Sequence, residues 1–391
     1  MPIVHMKDML QHAYDHKYAV GAFDLVSLDF LQGILQGAEQ AKAPVILSLA
    51  ESHFEYFDFE LLMRATVAAA KRASVPVAIH LDHGSSLDSA IQGIRYGCTG
   101  VMIDSSDKPL DENIRLTKAI VDMCQGCGIP VEGELGYVPG VEGEDAERHP
   151  GEVCYTTVEE AEKYIRETQV DFLAVSIGTV HGRMQGKPKL DIQRLQQINE
   201  ALRIPLVIHG GTGLSDVQFQ QLIQHGVTKI NYYTALSDKA AGQIYANSQS
   251  QKQLGYTGLV ENIPQVIAQE VERCIKIWGS DHQADAVLQT CQPWQEVEHL
   301  IVYNVSGISD QEALAMIAKG KEELAKIPGV LRVFTGKAMR DQDRYRYTWL
   351  VQFCHPNVIE SYKHHPLHVA FADELFRPVA GDRISIDYQA I

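Results

Sequence analysis

Three histidines lie just beyond short apolar runs, His83 after AIHLD, His181 in SIGTVHG and His209 closing IPLVIHG, and carboxylates cluster at equivalent places: Asp82 directly before His83, Asp104 ending GVMID, Glu132 and Glu134 within IPVEGEL. Any one such histidine is more often a satisfied loop residue. Three delivered by three strand ends suit a metal with open coordination positions, zinc first, although cobalt or iron would also accept the set. A neighbouring carboxylate such as Asp82 could then move a proton. A second group suits an anion: Gly182, Gly210, Gly211 and Thr212, with Asn231 and Thr234, because glycine-rich turns expose backbone N–H groups. Ser215-x-x-Gln218 reads instead as a capping box that starts a helix.

Eight apolar, β-rich runs deliver these residues: 18–23, 44–50, 76–82, 100–104, 129–135, 171–177, 204–210 and 228–231. Amphipathic stretches such as LDFLQGILQGAEQA (28–41) separate them. Eight strand–helix repeats predict a closed (β/α)8 barrel, an α/β fold whose active site lies at the C-terminal strand ends, where the histidines fall. The expected domains are a TIM barrel over 1–280, a linker over 281–295, and a smaller α+β domain over 296–391 with the β-α-β-β-α-β order of a ferredoxin-like fold. The chain has 391 residues, 45% hydrophobic and 21% charged, with a formal net charge of −16. That charge disfavours nucleic acid and anionic membrane as partners, and no apolar run is long enough to span a bilayer. Seven cysteines, an odd number without a framework spacing, suit reduced thiols and a cytoplasmic location; Cys124-x-x-Cys127 reads as structural.

HLDHGSS (80–86), EGELGYVPGVEGED (132–145), GTVHG with KPKLD (178–191), HGGTGLS (209–215) and KINYYTA (229–235) together resemble the class II, metal-dependent fructose-bisphosphate and tagatose-bisphosphate aldolases. The resemblance covers about residues 1–280 and implies a reversible cleavage of a ketose phosphate into dihydroxyacetone phosphate and an aldehyde. It makes His83, His181 and His209 the Zn2+ ligands and Asp82 the acid/base at the hydroxyl beside the bond that breaks. Glu142 matches the loop glutamate that shuttles the enediolate proton. Asp104 and Glu134 match residues that hold the metal in an alternative position or bind a second divalent or monovalent cation; orienting the histidines is an equal reading.

Departures from the family pattern fall on the substrate. Tyr233 stands between Asn231 and Thr234 where the family has a small or acidic residue, and Gln185 replaces a phosphate-contacting lysine, for which Arg183 or Lys187 could substitute. Asp24 replaces an asparagine, Ala50 a serine, and the distal phosphate clamp is missing from 253–264. A carboxylate repels a second phosphate, so the expected aldehyde is not glyceraldehyde 3-phosphate. The alternatives are an aldolase acting on an unphosphorylated ketose, and a noncatalytic metal-binding oligomeric regulator.

Residues 296–391 resemble the stress-responsive dimeric α/β-barrel domain, most clearly at Tyr362-x-x-His365-Pro366-x-His368. That implies sheet-to-sheet pairing and a homo-oligomer, a dimer or tetramer. Its histidines also permit acid–base chemistry or metal binding.

Overall fold

The computed structural model describes residues 2–140, 144, 154–183, 188–250 and 255–389. Glu142, Gln185 and Lys187 lie outside the described residues. Eight parallel strands close a barrel in sequence order: β1 (Val20–Asp24), β2 (Val45–Ala50), β3 (Val77–Gly84), β4 (Gly100–Ile103), β5 (Val131–Leu135), β6 (Phe172–Val175), β7 (Leu206–Ile208) and β8 (Val227–Tyr232). Each overlaps one of the runs read from sequence. Their residues are buried throughout, His83 alone excepted, as expected of strands covered by helices outside and packed side chains inside.

Two compact units make up the chain: residues up to Ala90, Cys98–Val121 and Pro130–Pro293 form the first, and Ile91–Gly97, Asp122–Ile129 and Trp294 onward the second. The helix Met6–His16 buries Met6, Met9, Leu10 and Ala13 in one cluster with Val20, Ile46, Ala78 and Val207 of the barrel. Val287 and Cys291 join that cluster, so the segment expected as a linker holds a helix, Ala284–Thr290; their i,i+4 spacing puts both on one apolar face.

In the second unit, β9 (Val297–Tyr303), β10 (Val330–Lys337), β11 (Tyr347–Phe353) and β12 (Arg383–Gln389) form an antiparallel sheet in the order β10-β11-β9-β12, with the helix Asp310–Leu324 between β9 and β10 in the chain. This is the ferredoxin-like order expected. Where that order calls for one second helix, the chain has two, Val358–His364 and Pro366–Phe371, because the proline forces His365 into extended backbone. A wider turn over Ala372–Phe376 follows. One sheet face buries Tyr303, Trp349, Val351 and Phe353. On the other, Phe334, Leu350, Leu300 and Ile386 stand directly opposite one another across all four strands.

Candidate active site

The strand period of two explains which side chains enter the barrel. His80 and Asp82 of β3, Glu132 and Glu134 of β5, and Lys229 and Asn231 of β8 are i,i+2 pairs on inner faces, and all six are buried. His83 breaks that alternation. The β3–β4 register shifts between Leu81 and Gly84, and His83 has left-handed backbone, φ +47°. Such a bulge re-aims a side chain, here toward the rim where Asp82 already points.

His83, His181 and His209 come together with one ring nitrogen of each lying within 4.8 Å of the others. Their other nitrogens are held from behind. His83 Nδ1 lies 2.9 Å from Asp104 Oδ2, His181 Nδ1 3.2 Å from the Val138 carbonyl, and His209 Nε2 3.0 Å from Glu132 Oε1. At the centre, His83 Nε2 and His209 Nδ1 face each other at 2.9 Å, a separation that needs a shared proton or a cation between them, and Asn231 Nδ2 lies 3.4 Å from His209 Nδ1. His181 Nε2 is buried without a hydrogen-bond partner. Three converging imidazole nitrogens, each ring backed by a fixed acceptor, fit a divalent metal. Asp104, Glu134 and His83 form a second such group.

Electrostatics agree. Burial and the neighbouring imidazoles push His181 down to about 3. Burial alone would also lower His83, but the carboxylates of Asp82, Asp104 and Glu134 hold it well above its ordinary value. Burial, with the charge of Asp104, keeps the Glu134 carboxyl well above the usual carboxylate range. The cluster is therefore built for one positive charge at its centre.

Asp82 is anchored from across the barrel. Lys229 Nζ lies 2.8 Å from Glu132 Oε2 and donates to Asn231 Oδ1 at 2.7 Å, which fixes the amide so that Asn231 Nδ2 donates to Asp82 Oδ1 at 2.8 Å. Glu132 thus holds both His209 and, through Lys229 and Asn231, the Asp82 carboxylate. Burial would raise Glu132, yet Lys229 and the histidines pull it to about 2. Lys229 and His80 went unnoticed in the sequence, although a lysine at i,i+2 from a rim asparagine inside an apolar strand is a usable signal.

The glycine turns sit at the same rim. Gly210 has φ +70°, and a Cβ there would lie 2.2 Å from the Val180 carbonyl, so only glycine lets the β7 loop close on the His181 loop. Gly182, Gly211 and Thr212 flank it, with Asn231 inside β8 and Thr234 just beyond it. Ser215 and Gln218 form the expected capping box. Arg183 forks onto Asp238.

The side of β1, β2 and β8 is aromatic. The Tyr233 ring lies 4.4 Å from His53 and 6.1 Å from Phe30, and Asp24 is buried at the end of β1. His53 is buried with no hydrogen bond at Nδ1 and near enough to Asp82 and His83 to feel their charges. It too went unread, and its signal was its place one turn beyond β2. Tyr232 packs outward, its hydroxyl donating to Glu270. A cleft of about 250 Å3 bordered by Ala50, His83, Asp104 and His181 opens at this rim.

Residues 4–283 match the family described as fructose-bisphosphate aldolase class-II. The chain belongs to that family. As a class II aldolase it is a carbon–carbon lyase, and its barrel is 42% identical over 238 residues to the fructose-bisphosphate aldolase of Geobacillus stearothermophilus, covering 60% of this chain and 82% of that one. It is 39% identical over 237 residues to a 6-phospho-5-dehydro-2-deoxy-D-gluconate aldolase of Halalkalibacterium halodurans, covering 60% and 81%. The crystal structure of the YdjI aldolase from Escherichia coli K12 superposes with a TM-score of 0.65 at 31% identity, over 72% of this chain and 99% of that one. Residues 297–390 of this aldolase match the stress responsive A/B barrel domain. Among the described residues no helix is long and apolar enough to cross a membrane.

Proposed function

We propose that this class II aldolase uses Zn2+ to cleave a ketose phosphate reversibly into dihydroxyacetone phosphate and an aldehyde other than glyceraldehyde 3-phosphate. The observation that carries the reading is the set of three converging, back-supported imidazole nitrogens beside Asp82. His83, His181 and His209 would hold the ion, which when bound polarises the ketose carbonyl. Asp104 and Glu134 would receive it in a resting position or take a second cation. Asp82, buried and steered by Asn231, moves the proton of the hydroxyl next to the bond that breaks. Glu142 is assigned the proton on the donor carbon by family resemblance alone.

Gly182, Gly210, Gly211, Thr212, Asn231 and Thr234 are assigned to the donor phosphate. Asp24 is assigned to the aldehyde half, where a buried carboxylate favours hydroxyls over a second phosphate, and Tyr233 to the altered donor-phosphate end. A relative carrying a different substrate in its name stands beside those named for fructose bisphosphate, so membership of the family does not fix the aldehyde. The domains run 1–280, 281–295 and 296–391 in this reading. The apolar row Phe334–Leu350–Leu300–Ile386, with Phe334 48% and Ile386 41% exposed, supports a homo-oligomer joined through the second sheet. The location is cytoplasmic.

The test avoids the unknown aldehyde. In heavy water, zinc-loaded protein should exchange one carbon-bound proton of dihydroxyacetone phosphate, followed by NMR, and a chelator should stop it. Exchange of plain dihydroxyacetone alone would favour an unphosphorylated ketose. No exchange of either would refute the aldolase reading and leave a noncatalytic metal-binding regulator.

A further inference from the structure

His53 is a buried imidazole at the barrel rim for which the proposed aldol steps have no task. It closes a single 3₁₀ turn, Glu51–His53, that follows β2 directly. That turn is held firmly. Glu51 accepts from the Ser85 N–H at 2.6 Å, the Ser85 hydroxyl at 3.1 Å and the Ser89 hydroxyl at 2.8 Å. Ser85 follows Gly84, where the bulge that re-aims His83 ends, so the turn carrying His53 and the loop carrying a metal-site histidine are tied together.

The place of the ring follows from the barrel order. β1 pairs with β2 on one side and with β8 on the other. His53 starts beyond β2, yet its ring lies 4.4 Å from that of Tyr233, just beyond β8, and 6.2 Å from that of Tyr56. The two closer rings therefore meet across the end of β1, where Asp24 is buried. Asp82 is near enough for its charge to act on the imidazole. His53 thus sits with the carboxylate assigned to the aldehyde half and the one assigned to the hydroxyl proton. Its chain neighbour Ser52 lines the rim cleft, together with Ala50, His83 and His181.

Only 4% of His53 is exposed, and its Nδ1 is buried with no hydrogen bond. A buried polar atom left unpaired is rare in a folded protein and marks a place where a ligand or ordered water completes the set. Burial pushes the imidazole down, further than the Asp82 charge lifts it, so the ring is uncharged at neutral pH. An uncharged imidazole nitrogen is either a donor or an acceptor, and a hydroxyl, which is both, pairs with it in either tautomer. Such a ring offers a phosphate no charge, and Asp24 at the end of β1 repels one.

We infer that His53 is a specificity-determining residue that hydrogen-bonds, through Nδ1, a hydroxyl of the aldehyde fragment. The substrate class is accordingly a ketose whose aldehyde half carries an uncharged hydroxyl close to the carbonyl. The inference rests on the aldolase reading above and narrows its aldehyde.

The test is condensation of dihydroxyacetone phosphate with aldehydes that differ only in their hydroxyls: propionaldehyde, lactaldehyde, 3-hydroxypropionaldehyde and glyceraldehyde. It is run on the zinc-loaded full chain as wild type, His53→Phe and His53→Asn, with thermal melts and zinc content to check that each variant folds and loads. Phenylalanine keeps a ring against Tyr233 and removes the polar nitrogen, whereas asparagine returns a hydrogen-bonding amide near the place of Nδ1. Wild type should favour a hydroxylated aldehyde over propionaldehyde in kcat/KM by about tenfold or more, and the best of them locates the hydroxyl. His53→Phe should shrink that ratio about tenfold by slowing the hydroxylated aldehyde, and His53→Asn should recover most of it. A wild type without the preference, a ratio unchanged in His53→Phe, or an equal fall for every aldehyde would overturn the inference. Donor proton exchange in heavy water tells the two failures apart. Exchange in a wild type that shows no preference sinks this inference alone, and no exchange sinks the aldolase reading and this inference with it.

Discussion

The two halves of the barrel rim are held together differently. On the side of β3, β5, β6 and β7, the outward nitrogens of His83, His181 and His209 are each fixed by an acceptor, and a buried ion pair, Lys229–Glu132, ties His209 to Asp82. On the side of β1, β2 and β8, rings lean on rings: Tyr233 on His53 and Phe30. The first half is over-determined by directional bonds, so nearly any change leaves a buried group unsatisfied. The second, Asp24 apart, is set mainly by shape, which can vary without stranding a charge. Within one barrel, the proposed reaction and the proposed substrate choice thereby rest on ground of unequal tolerance.

The strongest way to break the comparison is at the metal-site half. His209→Ala should take bound zinc, measured by elemental analysis, to a small fraction of wild type and donor proton exchange to the detection limit; a variant that keeps both would show that the cluster is not the metal site. Asp82→Asn should keep its zinc while slowing cleavage by about 10²–10⁴-fold. Lys229→Met leaves Glu132 as a buried carboxylate without its cation, at about 3–5 kcal/mol, read in denaturant melts, and the added change Glu132→Gln should recover part of that loss.

The same ion pair gives a pH signature. Glu132 is pulled from 4.5 to about 2 on folding, so its stabilisation is complete above 4.5 and is lost as pH falls from 4.5 toward 2. The melting temperature should drop across that window, and Glu132→Gln should flatten the drop. The smallest effect belongs to the aromatic half. Asp24→Asn should leave donor exchange within a few-fold of wild type while shifting the preference among aldehydes by about 1–3 kcal/mol, read as ratios of kcat/KM. An equal loss in both would erase the distinction between the halves.

Much of the barrel was legible because its signals are local. Apolar runs with β-branched residues gave all eight strands, and the His, Asp and Gly motifs at their ends gave the rim. What escaped was the pairing across the barrel. Glu132 and Lys229 lie on β5 and β8, which are not neighbours, so no spacing along the chain announces that they meet. His53 escaped because a lone histidine after a strand carries no periodic signal. In the second unit, Pro366 was visible, but the helix pattern on both sides of it masked the break it imposes.

His83 holds φ +47°, a conformation that costs a residue with a Cβ about 1–2 kcal/mol and costs glycine almost nothing. The residue best suited to that backbone is therefore one that cannot bind an ion. His83→Gly would shed that strain but strand the Asp104 carboxylate that His83 Nδ1 holds at 2.9 Å, so heat resistance is not gained there without rebuilding Asp104 as well.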